Sequence, residues 1–412
     1  MHKVIYQIRS GGWLTKYRMA GYAWILLTCQ VLGFLFFVAG THGLIVPLKN
    51  PTSTDFVGFY AAGSLADAGH GWLAYDQAAH YAAEQQATEP GIAYSFFYYP
   101  PVFLLICAIV ARLPYLCAFA AFQAGGLSAC LLAVRGILPN VKPVFLLGFP
   151  AVFWTLGTGQ NAFLTAGLFA AATWNIDRRP VIAGLLFGAL CYKPHFGLLI
   201  PIALVAGGHG RAFAAAGGAV LALAGLSAWA FGWETWTAFL HATASSPAIY
   251  TSQADLAGIA SPFGAMLALG QARSHAMIVQ ACATLGAAVL VGIVWRRRLS
   301  LSVRAAVLLA ATPAAVPIVQ FYDLMLAGVA IAWLVRAGRT SGFAPWTQTL
   351  LAVAYVLPLF SGNLGGVDHW LVSPVTATLV LALAVAAAWR ELRLQHSVPG
   401  RMTEASRMGA AL

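Results

Sequence analysis

Five of the twelve acidic residues in this 412-residue chain fall between Asp55 and Glu89. A carboxylate is one of the side chains that can take a proton from an attacking hydroxyl, and Asp55 is the best placed of the five to do so. It follows Pro51-Thr-Ser-Thr54 and precedes Phe56-Val-Gly-Phe-Tyr60, at a change from polar to apolar sequence. Asp also favours helix N-termini. The residue types alone therefore leave two readings open: a cap for the segment starting at Phe56, or a general base. Asp67 and Asp76 stand nine residues apart, and the stretch has no DxD or ExD, so spacing predicts no divalent-metal site. The six cysteines lie inside apolar runs without a CxxC pair and read as small core residues. No Gly-rich loop ends in Lys-Ser/Thr, which argues against a nucleotide-driven pump. The expectation is chemistry without metal or cofactor.

The elements that must position Asp55 are membrane helices. Hydrophobic residues make up 60% of the chain and charged residues 8%, against roughly 25% charged in soluble domains. Apolar runs at 21–46, 113–134, 143–157, 161–176, 180–192, 195–208, 211–232, 275–295, 300–318, 321–335, 345–362 and 371–389 predict an all-α polytopic membrane protein with about 12 crossings, forming one domain over 1–412. The first run is too long for a signal-peptide core and reads as the first membrane helix. The net charge of +11 comes from short basic clusters between the runs, which are topology determinants rather than a nucleic-acid surface. With a cytoplasmic amino terminus, all but Lys49, Arg112, Lys193 and Arg273 of the 23 Lys and Arg residues fall inside, as the positive-inside rule requires.

That map predicts a first periplasmic loop at 47–96 and a basic cytoplasmic tail at 391–412. The shorter pieces 97–111 and 259–270 are expected to be re-entrant or surface-lying helices on the outer face. Fifteen helical residues reach only about 22 Å, and Pro100-Pro101 breaks the first piece near its start. Phe56, Phe59, Tyr60, Trp72, Leu73, Tyr75 and Tyr81 are spaced as in short amphipathic helices lying along the bilayer. The expected location is a bacterial inner membrane, with Asp55 facing the periplasm.

Asp55-Phe-Val-Gly-Phe-Tyr-Ala-Ala-Gly63, Gly71-Trp-Leu-Ala-Tyr-Asp76, Tyr98-Tyr-Pro-Pro-Val-Phe103 and Arg112-Leu-Pro114 together resemble the family 87 glycosyltransferases. Gly159-Gln-Asn161, Ala183-Gly-Leu-Leu-Phe-Gly188 with Lys193-Pro194, and more loosely Tyr322-Asp323 extend the likeness. The resemblance implies a GT-C-type helix bundle with a catalytic carboxylate, Asp55, in the first outer loop. It also implies a polyprenyl-phosphate sugar as donor and a lipid or cell-envelope glycan as acceptor. The activity so implied is hexosyl transfer, most readily of mannose, by one inverting displacement with Asp55 as general base.

On that resemblance the leaving phosphate needs positive charge at the outer membrane edge. Lys193, His195 and Arg112 are the candidates. A lone membrane lysine costs roughly 2.5 to 3.5 kcal/mol and calls for a partner, either a lipid phosphate or a carboxylate such as Asp323. Tyr60, Tyr98, Tyr99, Gln160, Asn161 and Asp323 are expected to bind substrate, although interfacial belting, a polar turn or capping explains several of them equally. A transporter or flippase of lipid-linked sugars is the competing reading. It predicts ionisable residues along a midplane path and an internal repeat, whereas the acids here gather in one outer loop. A non-catalytic scaffold is a third reading, and it needs neither Asp55 nor Lys193.

Overall fold

The computed structural model describes residues 2–40, 54–244, 258–361 and 371–396. The end of the first expected crossing, the start of the outer loop at 47–53 and the tail beyond 396 lie outside those residues. Among the described residues all regular structure is helical, as a bilayer requires, because a helix satisfies its own backbone hydrogen bonds.

Among the described residues six helices are long and apolar enough to cross a membrane: Lys16–Phe36, Tyr115–Ile137, Gly210–Phe231, Arg273–Arg296, Phe321–Ser341 and Val372–Gln395. The other expected runs are also helical but shorter, because proline cuts them. Pro150 and Pro180 open their helices, Pro194 and Pro358 sit in 3₁₀ turns, and Pro313 lies inside Leu301–Ala315. Proline removes a backbone donor and clashes with the preceding turn, so a continuous apolar run becomes a broken helix. Six spans by length and composition therefore stand where the hydropathy pattern predicts about twelve.

The helices that build the site are few. α1 (Thr54–Asp67) and α2 (Gln77–Ala87) form the outer loop, and α3 (Leu104–Ala111) follows a 3₁₀ turn at Pro101–Phe103. With eight residues α3 is about 12 Å long, far short of a span, and it packs on α1. Gly63 makes that contact possible, since a Cβ there would fall on the Cys107 carbonyl. The long α4 (Tyr115–Ile137) comes next. α5 (Pro150–Thr158) and α6 (Ala162–Asn175) are joined by a tight turn, and α7 (Pro180–Gly188) runs into 3₁₀ turns carrying Lys193. α8 (Gly210–Phe231) packs along α7. At the centre are α9 (Leu301–Ala315) and α10 (Met325–Ser341), both buried over most of their length. Large apolar residues on the outer helices, such as Leu221 and Leu285, are exposed, which suits a lipid surrounding.

The bundle has two chemically distinct ends. At one end Arg336 donates to the Ile137 carbonyl, Arg304 pairs with Asp177, and Arg390 donates to the Gly342 carbonyl. At the other end Asp55, Gln160, Lys193 and Asp323 approach one another. α10 runs from the second end to the first, beginning just past Asp323 and ending beside Arg339.

Because lipid tails are as apolar as leucine, helices hold together here through close packing of small residues. α7 and α8 use Gly184 and Gly188, where a Cβ would strike the carbonyls of Ala212 and Ala216. Gly184→Ala should therefore destabilise the folded protein by about 1–3 kcal/mol, the usual overpacking cost. Gly217→Ala, with nothing within 4 Å of the new methyl, should leave stability unchanged or raise it by up to about 1 kcal/mol. Thermal unfolding of both variants in detergent checks the contrast.

Candidate active site

Asp55 lies inside the first turn of α1 rather than ahead of it, so it is not the residue before the helix. A negative charge there is favoured by the helix dipole. The Gln160 side chain lies close enough to the Asp55 carboxylate to favour the ionised form. Gln160 is held in register by the α5–α6 turn, where Gly159 ends α5 at φ +70°, a conformation natural to glycine. A Cβ on Gly159 would also come within 2.5 Å of the Phe56 Cβ. Glycine thus lets the turn sit directly on the helix that carries Asp55.

The orientation of Gln160 follows from its other contacts. Its Oε1 accepts from the Tyr99 hydroxyl at 3.2 Å and from the Asn161 backbone N–H at 3.1 Å, which leaves its NH₂ to face Asp55. The Gln123 amide donates to the Gln160 backbone carbonyl at 3.2 Å. The Asn161 amide reaches toward the Tyr99 hydroxyl without a well-formed hydrogen bond. Burial pushes the Asp55 carboxyl up to about 6, against the opposing pull of the Gln160 side chain and the Lys193 charge, while Asp323 adds to the rise.

Lys193 is buried, and its Nζ lies 2.9 Å from Asp323 Oδ1. The other Asp323 oxygen accepts from the Gln320 backbone N–H. Three rings surround the ammonium: Phe196 at 5.2 Å, Tyr322 at 5.6 Å and Tyr99 at 6.0 Å. A quadrupole-lined pocket of this kind stabilises a cation that has lost its water. Behind it, Tyr192 stacks on Phe103 and its hydroxyl meets Thr165 at 2.6 Å.

The fold therefore brings together Asp55, Tyr99, Gln160, Asn161, Lys193 and Asp323, and holds the other candidates apart. Arg112 is exposed and pairs with Asp67 at 2.7 Å, at the opposite end of α1 from Asp55. The Tyr60 hydroxyl donates to the Leu113 carbonyl. Tyr98 is partly exposed and stacks on Phe96. His195 is exposed beside Phe196, two residues from Lys193. Among the other acids of the loop, Asp76 caps α2 by accepting from Ala79 N–H, and Glu89 is exposed. Sequence reasoning missed Gln123, Tyr192, Thr165 and the buried pair His80 and Glu84. The i,i+4 spacing of that pair within the acidic loop was the available signal. Among the described residues no group of three or more His, Cys, Asp or Glu stands close enough to hold a metal ion.

Removing one partner of a buried ion pair leaves the other charge unpaired, at a cost of about 3–5 kcal/mol. Lys193→Met and Asp323→Leu should each lose that much stability, and the double variant should lose less than either single one. Thermal melts of the three proteins test this, and singles as stable as the parent would show that the pair is not held in a dry environment.

Comparison with curated proteins and with solved structures gave no match. The family model for glycosyltransferase family 87 matches residues 97–317, which include Tyr98, Tyr99, Arg112, Gln160, Asn161, Lys193 and His195. Asp55 lies before the matched segment and Asp323 just after it. A match over more than half of an all-helical chain, enclosing most of the clustered polar residues, places the protein in that family: the chain belongs to glycosyltransferase family 87 and is a membrane glycosyltransferase.

Proposed function

We propose that the protein moves a hexose, mannose first among the candidates, from a polyprenyl-phosphate sugar to a lipid or cell-envelope glycan acceptor at the periplasmic face of a bacterial inner membrane. The observation that carries this reading is the meeting of one carboxylate, Asp55, with one caged cation, Lys193, at the end of the bundle away from the arginine clusters. That end is outside if the positive-inside rule holds. On this reading the shorter helices complete a GT-C-type bundle of about twelve crossings.

Asp55 serves as general base. The acceptor hydroxyl attacks the anomeric carbon and passes its proton to Asp55. The bond from that carbon to the lipid phosphate breaks, and the phosphate leaves with the bonding electrons. One displacement inverts the anomeric centre, so a β-linked donor gives an α-linked product. Lys193 has three N–H donors, of which one engages Asp323, leaving two for the phosphate oxygens. His195 stands beside that position. Arg112, committed to Asp67, serves the phosphate only if that exposed pair opens. Tyr99, Gln160 and Asn161 supply donors and acceptors for sugar hydroxyls, and Tyr60 and Tyr98 border the entry.

Purified protein incubated with radiolabelled polyprenyl-phosphate sugars and membrane lipid extract should transfer label, with mannose expected as the preferred sugar. Donor moving between leaflets without transfer from any sugar would favour the flippase reading instead. Asp55→Asn should lower kcat by about 10²–10⁴, the typical worth of a general base. Because Asp55 acts ionised and burial raises it to about 6, kcat/KM should climb as pH rises through about 6. A profile flat between pH 5 and 7 would remove Asp55 from that role.

A further inference from the structure

Behind Asp55 lie two side chains that the transfer chemistry does not use. His80 and Glu84, one turn apart on α2, have no exposed side-chain surface, and His80 Nδ1 stands 3.6 Å from Glu84 Oε1. Each also reaches another part of the site. His80 Nε2 lies 3.0 Å from the Gly58 carbonyl in the opening turns of α1, and both Glu84 oxygens lie 3.2 Å from the Ser95 backbone N–H. Gly58 itself is wedged in this junction, since a Cβ there would meet the Ser95 carbonyl at 2.8 Å and Glu84 Oε1 at 3.4 Å. Asp55 is three residues before Gly58, and Tyr99 is four residues after Ser95.

The hydrogen count in this junction is constrained. A carbonyl only accepts, so His80 Nε2 carries the hydrogen that meets Gly58. A neutral imidazole then presents the Nδ1 lone pair toward Glu84. With both side chains fully buried, that lone pair facing a bare carboxylate is repulsive, which favours a proton on the pair. It resides either on His80, giving two buried charges, or on Glu84, giving none. Burial lowers His80 to about 4 and raises Glu84 to about 8, which selects the uncharged arrangement.

We propose that His80 and Glu84 are positioning residues that share one proton, held on Glu84, and that they lock the turn bearing Asp55 against the segment bearing Tyr99. The pair then keeps a second negative charge away from the base at neutral pH, so that Asp55 ionises alone. The titratable groups facing Glu84 are His80 on its own helix, Asp55 on α1, Tyr94 in the loop and Tyr115 at the start of α4. Tyr94 is pushed well above its ordinary range by burial and stays neutral across the working range. The catalytic half of this inference rests on Asp55 being the base; the protonation half does not.

The test uses the full-length protein with Glu84→Gln and Glu84→Ala, assayed with polyprenyl-phosphate mannose and lipid extract from pH 6 to 9, and melted from pH 5 to 8. Gln keeps the acceptor for Ser95 and a donor for His80, so E84Q should match the parent at pH 7 and stay active above pH 8, where the parent declines. E84A should lose kcat by about 10- to 100-fold, as misplacement of a catalytic group does, with KM little changed. The melts carry their own sign. A carboxyl whose folded pKa is raised loses its stabilising contribution as pH rises from its ordinary value toward about 8. Gln loses nothing, so the gap in Tm favouring E84Q should widen from pH 5 to pH 8. E84Q as inactive as E84A, E84A as active as the parent, or a Tm gap that does not grow with pH would each overturn the proposal. Failure of the Asp55 reading looks different: Asp55→Asn would turn over like the parent while the melting result still stood.

Discussion

A charge inside a membrane protein must have a partner, and the arrangement of this site follows from how Lys193 finds its own. The ammonium sits among three aromatic rings and against Asp323. That contact ties the 3₁₀ turns after α7 to the entry of the central helix α10. Because α10 is buried over its first half, from Met325 to Leu334 with few exceptions, the pair has a rigid support on one side. On the other side Tyr99 links the cation's cage to Gln160, and Gln160 links to Asp55. Asp55 and the cation are thus held by one connected set of groups, and neither is free to move alone.

Electrostatics and packing act together in that set. Lys193 and Asp323 neutralise each other, so the remaining field at Asp55 is modest, and burial becomes the largest influence on its ionisation. Close backbone approach then fixes the geometry. Gly159 lets the α5–α6 turn rest on Phe56, Gly63 lets α3 rest on α1, and Gly58 lets the outer segment rest on α1. Without these three glycines a Cβ would separate the elements that must meet. Helix-to-helix cohesion elsewhere, as at Gly184 and Gly188 against α8, relies on the same absence of side chains.

Much of this was legible in the sequence, for identifiable reasons. The helical membrane class follows from apolar run length, and the two-ended charge pattern follows from the arginine clusters. Asp55 stood out because acids are scarce elsewhere. The helix lengths were less legible, because prolines such as Pro150 and Pro358 interrupt apolar runs that hydropathy reads as continuous. Lys193 was recognisable as a membrane lysine in need of a partner, yet Asp323 is 130 residues away, and only the fold shows that the two meet. Arg112 carried an outward positive charge, but the sequence does not show that Asp67 would engage it. Glu84 carries no signal in the sequence beyond its place in the acidic loop and its i,i+4 spacing from His80. Its burial depends on Ser95 and Gly58 closing over it, which no local pattern reveals.

The central claim is that Asp55 and Lys193 face the two ends of the same scissile bond. A structure of the protein with a non-hydrolysable polyprenyl-phosphonate sugar bound tests this directly. The phosphonate oxygens should lie within hydrogen-bond distance of Lys193 Nζ, with the anomeric carbon between them and the Asp55 carboxylate. A donor analogue seated with its phosphonate at the arginine-rich end, or with its sugar turned away from Asp55, would contradict the claim.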